Sequence, residues 1–150
     1  MRIVEAQIED QAELRELIYI SKKSNGYSKA EMAKFASVIG VPKRVFEKYL
    51  VYKVVENGKI VAVLVIKNMK IRCVLEDLFV SPKMQGKGIG RKLVEFTEKK
   101  AKSLGYTTLF LQSDPHSEDF YKKLGYHTYG YFKSKVVPGR TLPMMKKIML

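Results

Sequence analysis

Val80-Ser81-Pro82-Lys83-Met84-Gln85-Gly86-Lys87-Gly88-Ile89-Gly90-Arg91 decides how the chain is read, because it joins an apolar strand pattern to an amphipathic helix pattern through three glycines. Upstream, Ile71 to Val80 is rich in strand-forming apolar residues. Downstream, Ile89, Leu93, Phe96, Ala101 and Leu104 recur at near-helical spacing until Gly105 supplies the stop. At such a junction glycine lets the chain turn backbone N–H groups toward one point, and the helix N-terminus adds the positive end of its dipole, which makes a phosphate cradle. Lys87 and Arg91 add mobile positive charge. The dipole contributes roughly 0.3 to 1 kcal/mol per exposed anion and up to about 2 kcal/mol when partly buried, so several N–H bonds must share the binding. Two familiar phosphate loops are excluded. A Walker loop needs Ser or Thr after Gly-Lys, and Lys87 is followed by Gly88. A dinucleotide fingerprint read from Gly86 and Gly88 needs a third glycine where Arg91 stands.

Working outward, Arg2 to Ala6 reads as a short strand, followed by a helix from about Asp10 with Leu14, Leu17 and Ile18 on one stripe. Ser28 and Glu31 have capping-box spacing for a second helix carrying Met32, Phe35, Ala36 and Ile39, and Pro42 opens a third short one ending near Tyr49. From Val51 the period changes. Tyr52 to Glu56 and Lys59 to Ile66 flank Asn57-Gly58, a hairpin signal because both central positions need positive φ. Past the glycine helix, Thr107 to Gln112 is a strand. Asp114-Pro115 is a natural helix start closed by Gly125, and Tyr126 to Phe132 and Leu142 to Met149 are the last strands. An antiparallel meander followed by strands alternating with helices predicts an α/β (α+β) fold, a mixed sheet covered by helices.

The 150 residues, 46% of them hydrophobic, suit one compact domain over 1–150, with no repeat or Pro/Gly/Ser-rich linker dividing it. The single cysteine, Cys73, excludes an internal disulfide. With His116 and His127 as the other soft ligands, structural zinc sets are excluded too, and no metal is expected. Cys73, set among Ile71, Val74 and Leu75, reads as a small buried residue, and neither histidine has a partner at metal-ligand spacing. No apolar run approaches the roughly 20 residues of a membrane span, and acids arrive too early at the N-terminus for a secretory signal; the expected compartment is the cytoplasm. Lys plus Arg number 28 against 15 Asp plus Glu, a net charge of +13 that points to a polyanion. The charge is uneven. Five acids lie in the first sixteen residues, whereas Lys133 to Leu150 carries five cations and no acid, which predicts a basic surface facing something anionic.

Gln85-Gly86-Lys87-Gly88-Ile89-Gly90 matches Gln/Arg-x-x-Gly-x-Gly/Ala and resembles the acyl-CoA pyrophosphate loop of the GNAT superfamily of N-acetyltransferases. Leu75-Glu76-Asp77-Leu78-Phe79-Val80-Ser81-Pro82 looks like the central strand of that family, and Phe120-Tyr121-Lys122-Lys123-Leu124-Gly125-Tyr126 looks like its late FY-x-K-x-G-F segment. The resemblance covers about Ile71 to Tyr126. It implies a mostly antiparallel GNAT-like sheet with the acyl-CoA loop between the central strand and the next helix. It also implies acetyl-CoA as cosubstrate, held by Phe79, Val80, Gln85, Gly86, Lys87, Gly88, Ile89, Gly90, Arg91, Asp114, Phe120, Tyr121 and Lys123. Where the family often has an asparagine reaching the pantetheine arm, this chain has Asp114, for which a helix-capping role is the alternative.

Acetyl transfer from a thioester to a lysine-like amine requires deprotonating a group of pKa near 10.4, which costs roughly 4 to 5 kcal/mol at pH 7, so a base is useful. Glu76 and Asp77 are the carboxylates on the strand entering the loop, and regular alternation points them to opposite faces. Glu76 is preferred, since Leu-Glu-Asp-x-Phe-Val is similar to the strand of polyamine acetyltransferases; its plain alternative is a carboxylate paired with a lysine. By the same resemblance Tyr121 hydrogen-bonds the CoA sulfur and returns a proton to the departing thiolate, the Val80 N–H polarises the thioester carbonyl, and Phe79 and Val80 main-chain groups pair with pantetheine amides. The implied reaction is direct transfer to a primary amine of a small molecule, peptide or protein. The alternative is a non-catalytic domain of the same fold that binds acyl-CoA or nucleic acid, although no aromatic-basic RNA motif is visible. A basic protein repels polyamines unless acids line its pocket, and the acid-rich first helix is the segment able to supply them. The resemblance implies that a homodimer is possible, with the apolar C-terminal strand as the pairing edge, and nothing in the sequence fixes the oligomer.

Overall fold

Seven consecutive residues, Ile60 to Ile66, are buried, which is the signature of a strand covered on both faces. In the computed structural model, which describes residues 1–150, they lie within β3 (Lys59–Asn68), near the middle of a seven-stranded sheet. The other strands are β1 (Ile3–Glu5), β2 (Leu50–Glu56), β4 (Cys73–Val80), β5 (Thr108–Gln112), β6 (His127–Lys133) and β7 (Thr141–Ile148), in the order β1-β2-β3-β4-β5-β7-β6. Only β4 and β5 pair in parallel. The β2–β3 hairpin turns at Asn57 and Gly58, with φ of 51° and 75°, as the dipeptide predicts.

Helices cover both faces. On one, α4 (Ile89–Ser103) and α5 (Glu118–Lys123) bury Leu93, Val94, Ala101 and Tyr121 against Leu64, Ile66, Leu75 and Leu109. On the other, α1 (Gln11–Lys23) and α3 (Lys43–Lys48) bury Leu14, Leu17, Ile18 and Val45 against Val51, Val63 and Val65. Between them α2 (Lys29–Ala36) starts at a capping box in which Ser28 Oγ accepts from the Glu31 N–H at 3.1 Å and Glu31 accepts from the Ser28 N–H at 2.8 Å. No helix is long and apolar enough to cross a membrane.

Four expectations are corrected. Ile71 stands outside β4, 92% exposed, because pairing starts at Cys73. The segment after Asp114 opens as a 3-10 turn, Pro115–Ser117, before α5 begins. The apolar C-terminal strand β7 is not an edge: the β6–β7 hairpin folds back so that β7 is zipped between β5 and β6, leaving β1 and β6 as the edges. Finally, the register between β3 and β4 slips by one residue, with Val65 opposite Asp77 and Ile66 opposite Leu75. Glu76 is the extra residue of this bulge, so simple alternation fails there, and Glu76 and Asp77 line the same clefts.

Candidate active site

β4 and β5 pair only over Cys73 to Leu75 opposite Leu109 to Leu111, although β4 continues to Val80. Beyond that point the strands splay, and two clefts meet in the wedge, sharing Leu75, Glu76, Asp77, Phe79, Gln112, Ser113 and Asp114.

The first cleft, about 540 Å³, is floored by the glycine loop. Gly86 and Gly88 adopt φ of 79° and 81°, a left-handed conformation that turns the chain into α4 with Gly88 as its N-cap. The first helical bond of α4 runs from the Lys92 N–H to the Gly88 carbonyl at 3.1 Å, so the preceding amides have no intrahelical acceptor. Gly90 is tightly packed for a different reason: a Cβ there would lie 3.2 Å from the Phe120 ring, which would have to give by a few tenths of an ångström. Gln85 folds its side-chain amide back onto the Val80 carbonyl at 3.3 Å. Along the open edge of β4, the bond from the Ser81 N–H to the Val61 carbonyl at 2.8 Å sets the ladder phase. Phe79 therefore directs its main chain to Val63, and the amides of Leu78 and Val80 face the wedge. Leu78, which strand periodicity could not single out, thus presents its amide at this open edge, and Phe79 turns its own toward β3.

Tyr121 projects from α5 into the same cleft with its ring buried between Phe120 (5.0 Å, edge-on) and Tyr126 (5.8 Å). Its hydroxyl has no protein hydrogen bond, and burial, reinforced by the charge of Asp77, holds its pKa above the ordinary phenol value. Cys73, fully buried, has its thiol raised to about 11 by desolvation.

The second cleft, about 460 Å³, opens on the α1–α2 face and has an apolar lining that includes Phe35, Ile39, Phe79, Phe110, Leu142 and Met144. Asp77 lies where it meets the first cleft. Burial and the adjacent Glu76 raise the Asp77 carboxyl to about 7, against the lowering effect of Lys22 and Lys67. Glu76 is half-exposed and pairs with Lys67 at 3.3 Å. Between the clefts Asp114 is a hub: it accepts from the Tyr27 hydroxyl at 2.7 Å, Arg140 at 2.9 Å and the His116 backbone N–H at 2.9 Å, with His116 Nδ1 at 2.7 Å and Lys22 Nζ at 3.8 Å. These bonds outweigh burial and bring Asp114 down to about 2, while burial and the same contact push Tyr27 up to about 12. Lys22, lowered by burial, rests 4.3 Å from the Phe35 ring.

Of the residues singled out in the sequence, Glu76, Phe79, Val80, Gln85, Gly86, Gly88, Ile89, Gly90, Arg91, Asp114, Phe120 and Tyr121 all line the first cleft. Lys87 and Lys123 are exposed and do not line it. The carboxylates of the acid-rich first helix lie away from both clefts, Asp10 on Lys53 at 2.8 Å and Glu13 on the Ile60 amide at 2.8 Å; the helix instead offers Ile18, Ser21 and Lys22 from its basic end. The basic C-terminal segment is partly turned inward, with Arg140 on Asp114 and Lys147 on Glu98 at 3.2 Å. Lys22 and Arg72 carried no motif, and Arg140 stands in Pro138-Gly139-Arg140-Thr141-Leu142-Pro143, which resembles a subgroup of small GNAT proteins; the three come from distant parts of the chain to line the second cleft.

A mixed sheet opened at its parallel pair, with a glycine loop under one side of the wedge, defines an acyltransferase architecture. The chain belongs to the GNAT acetyltransferases: a family model described as an acetyltransferase (GNAT) domain matches residues 20–148. A comparison with curated proteins finds no match. Among solved structures, the chain is similar to a GCN5-related N-acetyltransferase from Rhodopseudomonas palustris, with a TM-score of 0.84, 19% identity, and coverage of 99% of this chain and 95% of that one. It is also similar to the PaiA N-acetyltransferase from Thermoplasma acidophilum in complex with coenzyme A (TM-score 0.76, 20% identity, 98% of each chain). A third is an aminoglycoside 6'-N-acetyltransferase complexed with coenzyme A (TM-score 0.74, 18% identity, 100% of this chain and 98% of that one).

Proposed function

We propose that the protein transfers the acetyl group of acetyl-CoA directly to a primary amine, with the thioester entering over the glycine loop and the amine arriving through the apolar cleft. The observation that carries this reading is the meeting of the two clefts in the β4–β5 wedge, with Asp77 at the junction and Tyr121 in the loop-side cleft. The residues suit a phosphate-bearing thioester: the α4 amides are free, and the missing Cβ of Gly90 admits the Phe120 ring against the loop. Acetyl-CoA supplies the activated acyl group. The Leu78 and Val80 amides are the donors available to its pantetheine arm and its carbonyl.

Asp77 takes a proton from the incoming ammonium, and the neutral amine adds to the thioester carbonyl. Tyr121 gives its proton to the departing thiolate as the C–S bond breaks, and the second proton lost by the acylated nitrogen returns to the Tyr121 phenolate. A carboxyl near 7 is half ionised at neutral pH, suited to a base, and a phenol with raised pKa arrives protonated. Glu76 is the second candidate base, favoured by its place beside Asp77 in both clefts, although Lys67 engages it. Burial of Cys73 supports transfer without a covalent enzyme intermediate.

The test combines acetyl-CoA calorimetry, with CoA and ATP as controls, and thiol release over an amine panel. Tyr121→Phe is expected to lower kcat by about 10² to 10³ while acetyl-CoA binds within a few-fold of wild type. Asp77→Asn is expected to remove the rise of kcat/KM through about pH 7. If Glu76→Gln removes that rise and Asp77→Asn keeps it, the base is Glu76; equal turnover in Tyr121→Phe rules out its role as acid.

A further inference from the structure

The acceptor-side cleft carries a charge pattern that the transfer chemistry leaves unused. Three cations line it, Lys22, Arg72 and Arg140. Lys22 and Arg140 are both engaged by Asp114, at 3.8 and 2.9 Å. Arg72 has no carboxylate partner. Its guanidinium lies 4.3 Å from the centre of the Phe110 ring, which in turn meets Tyr129 edge-on at 6.2 Å. An exposed arginine resting against an aromatic ring, with its N–H fork unpaired, is able to receive a carboxylate. Of the acids facing the cleft, Asp114 is surrounded by donors and Glu76 is paired with Lys67, so neither neutralises Arg72. The remaining acid, Asp77, lies at the junction with the loop-side cleft.

The register gives the spacing. Phe110 pairs with Val74, so the guanidinium sits near the level of Val74, three residues along β4 from Asp77. Because Glu76 is the extra residue of the bulge, this span matches only the two residues of β3 from Lys67 to Val65, roughly 7 Å along the strand. The apolar wall of this cleft includes Phe79, Leu142 and Met144. Resting on the acetyl-transfer reading above, the geometry points to an acceptor with an apolar body, a primary amine at one end and a carboxylate at the other, the carboxylate being bound by Arg72. A polyamine lacks the group Arg72 is placed to receive. An ω-amino fatty acid and a short apolar peptide both carry these two end groups on an apolar body.

The experiment measures kcat/KM by thiol release with pairs that differ only in the carboxylate: 8-aminooctanoate against octylamine, and a leucine-phenylalanine tripeptide, free against C-terminally amidated, with spermidine alongside. The expected result is a preference of at least about tenfold for the carboxylate member of one pair, and which pair shows it names the source. In Arg72→Gln the preference is expected to fall below about threefold, and Arg72→Lys is expected to keep part of it, since charge remains without the fork. Equal rates within both pairs, faster turnover of spermidine, or a preference that survives Arg72→Gln overturns the inference while leaving acetyl transfer in place. A separate arm needs no turnover: calorimetry with N-acetyl-8-aminooctanoate and N-acetyloctylamine on wild type and Arg72→Gln. Loss of all turnover together with Arg72-dependent binding of the first would overturn the transfer reading and support the carboxylate site; no such binding would overturn the site itself.

Discussion

At the scale of single residues, Asp114 shows how one side chain acquires a role from partners far away in sequence. It caps the turn at Pro115, as an Asp before a proline should, but it also ties Tyr27 and Lys22 of the N-terminal half to Arg140 of the β6–β7 connection. Its carboxyl is about 2 in the folded protein against 3.8 for the free side chain. The folded pKa is the lower one, so ionisation stabilises the fold above pH about 4, and this contribution disappears as pH falls through about 2. At 1.36 kcal/mol per pKa unit it amounts to about 2 kcal/mol. The stability gap between wild type and Asp114→Asn, read by urea unfolding, is expected to shrink by about that amount between pH 6 and pH 2; a gap independent of pH would show that the hub does not depend on the charge. Sequence reading left Asp114 between cap and ligand-binding residue because nothing local announces Arg140 or Tyr27.

At the scale of elements, the loop entering α4 follows from local rules, and the strand before it does not. Gly86 and Gly88 sit at left-handed φ where any other L-residue is strained by about 1 to 2 kcal/mol, so the loop's shape is written in its glycines. Gly88→Ala is expected to cost about 1 kcal/mol of stability and to weaken acetyl-CoA binding by about tenfold or more, because the strain tilts the amides that face the ligand. Calorimetry on the variant decides this; unchanged affinity would remove the loop from the binding site. β4, by contrast, is recognisable as a strand, yet its bulge at Glu76 depends on how it registers with β3. A one-residue slip exchanges faces, and periodicity in a single strand cannot report a slip against its neighbour. That is why the two carboxylates were expected on opposite faces and instead line the same clefts.

At the scale of the whole molecule, the insertion of β7 between β5 and β6 makes the C-terminal strand part of the core. Met145 on β7 is fully buried, whereas Tyr131 on the edge strand β6 is 62% exposed. Met145→Ala is expected to destabilise by about 3 kcal/mol and Tyr131→Ala by less than about 1 kcal/mol, measured as a shift of the urea midpoint at constant m-value. Equal effects would contradict this strand order. The sequence by itself determined the element types, the hairpin at Asn57-Gly58 and the glycine loop, because each depends on φ preferences and spacing within a few residues. Glu76, Phe120, Tyr121 and the loop residues from Gln85 to Arg91, apart from Lys87, line the loop-side cleft. Only the tertiary structure decided the strand order, the splay between β4 and β5, the bulge that brings Asp77 beside Glu76, and the meeting of Lys22, Arg72 and Arg140 around one cleft. These depend on pairings between residues tens of positions apart, and such pairings are chosen by the burial of the whole sheet, not by any segment alone.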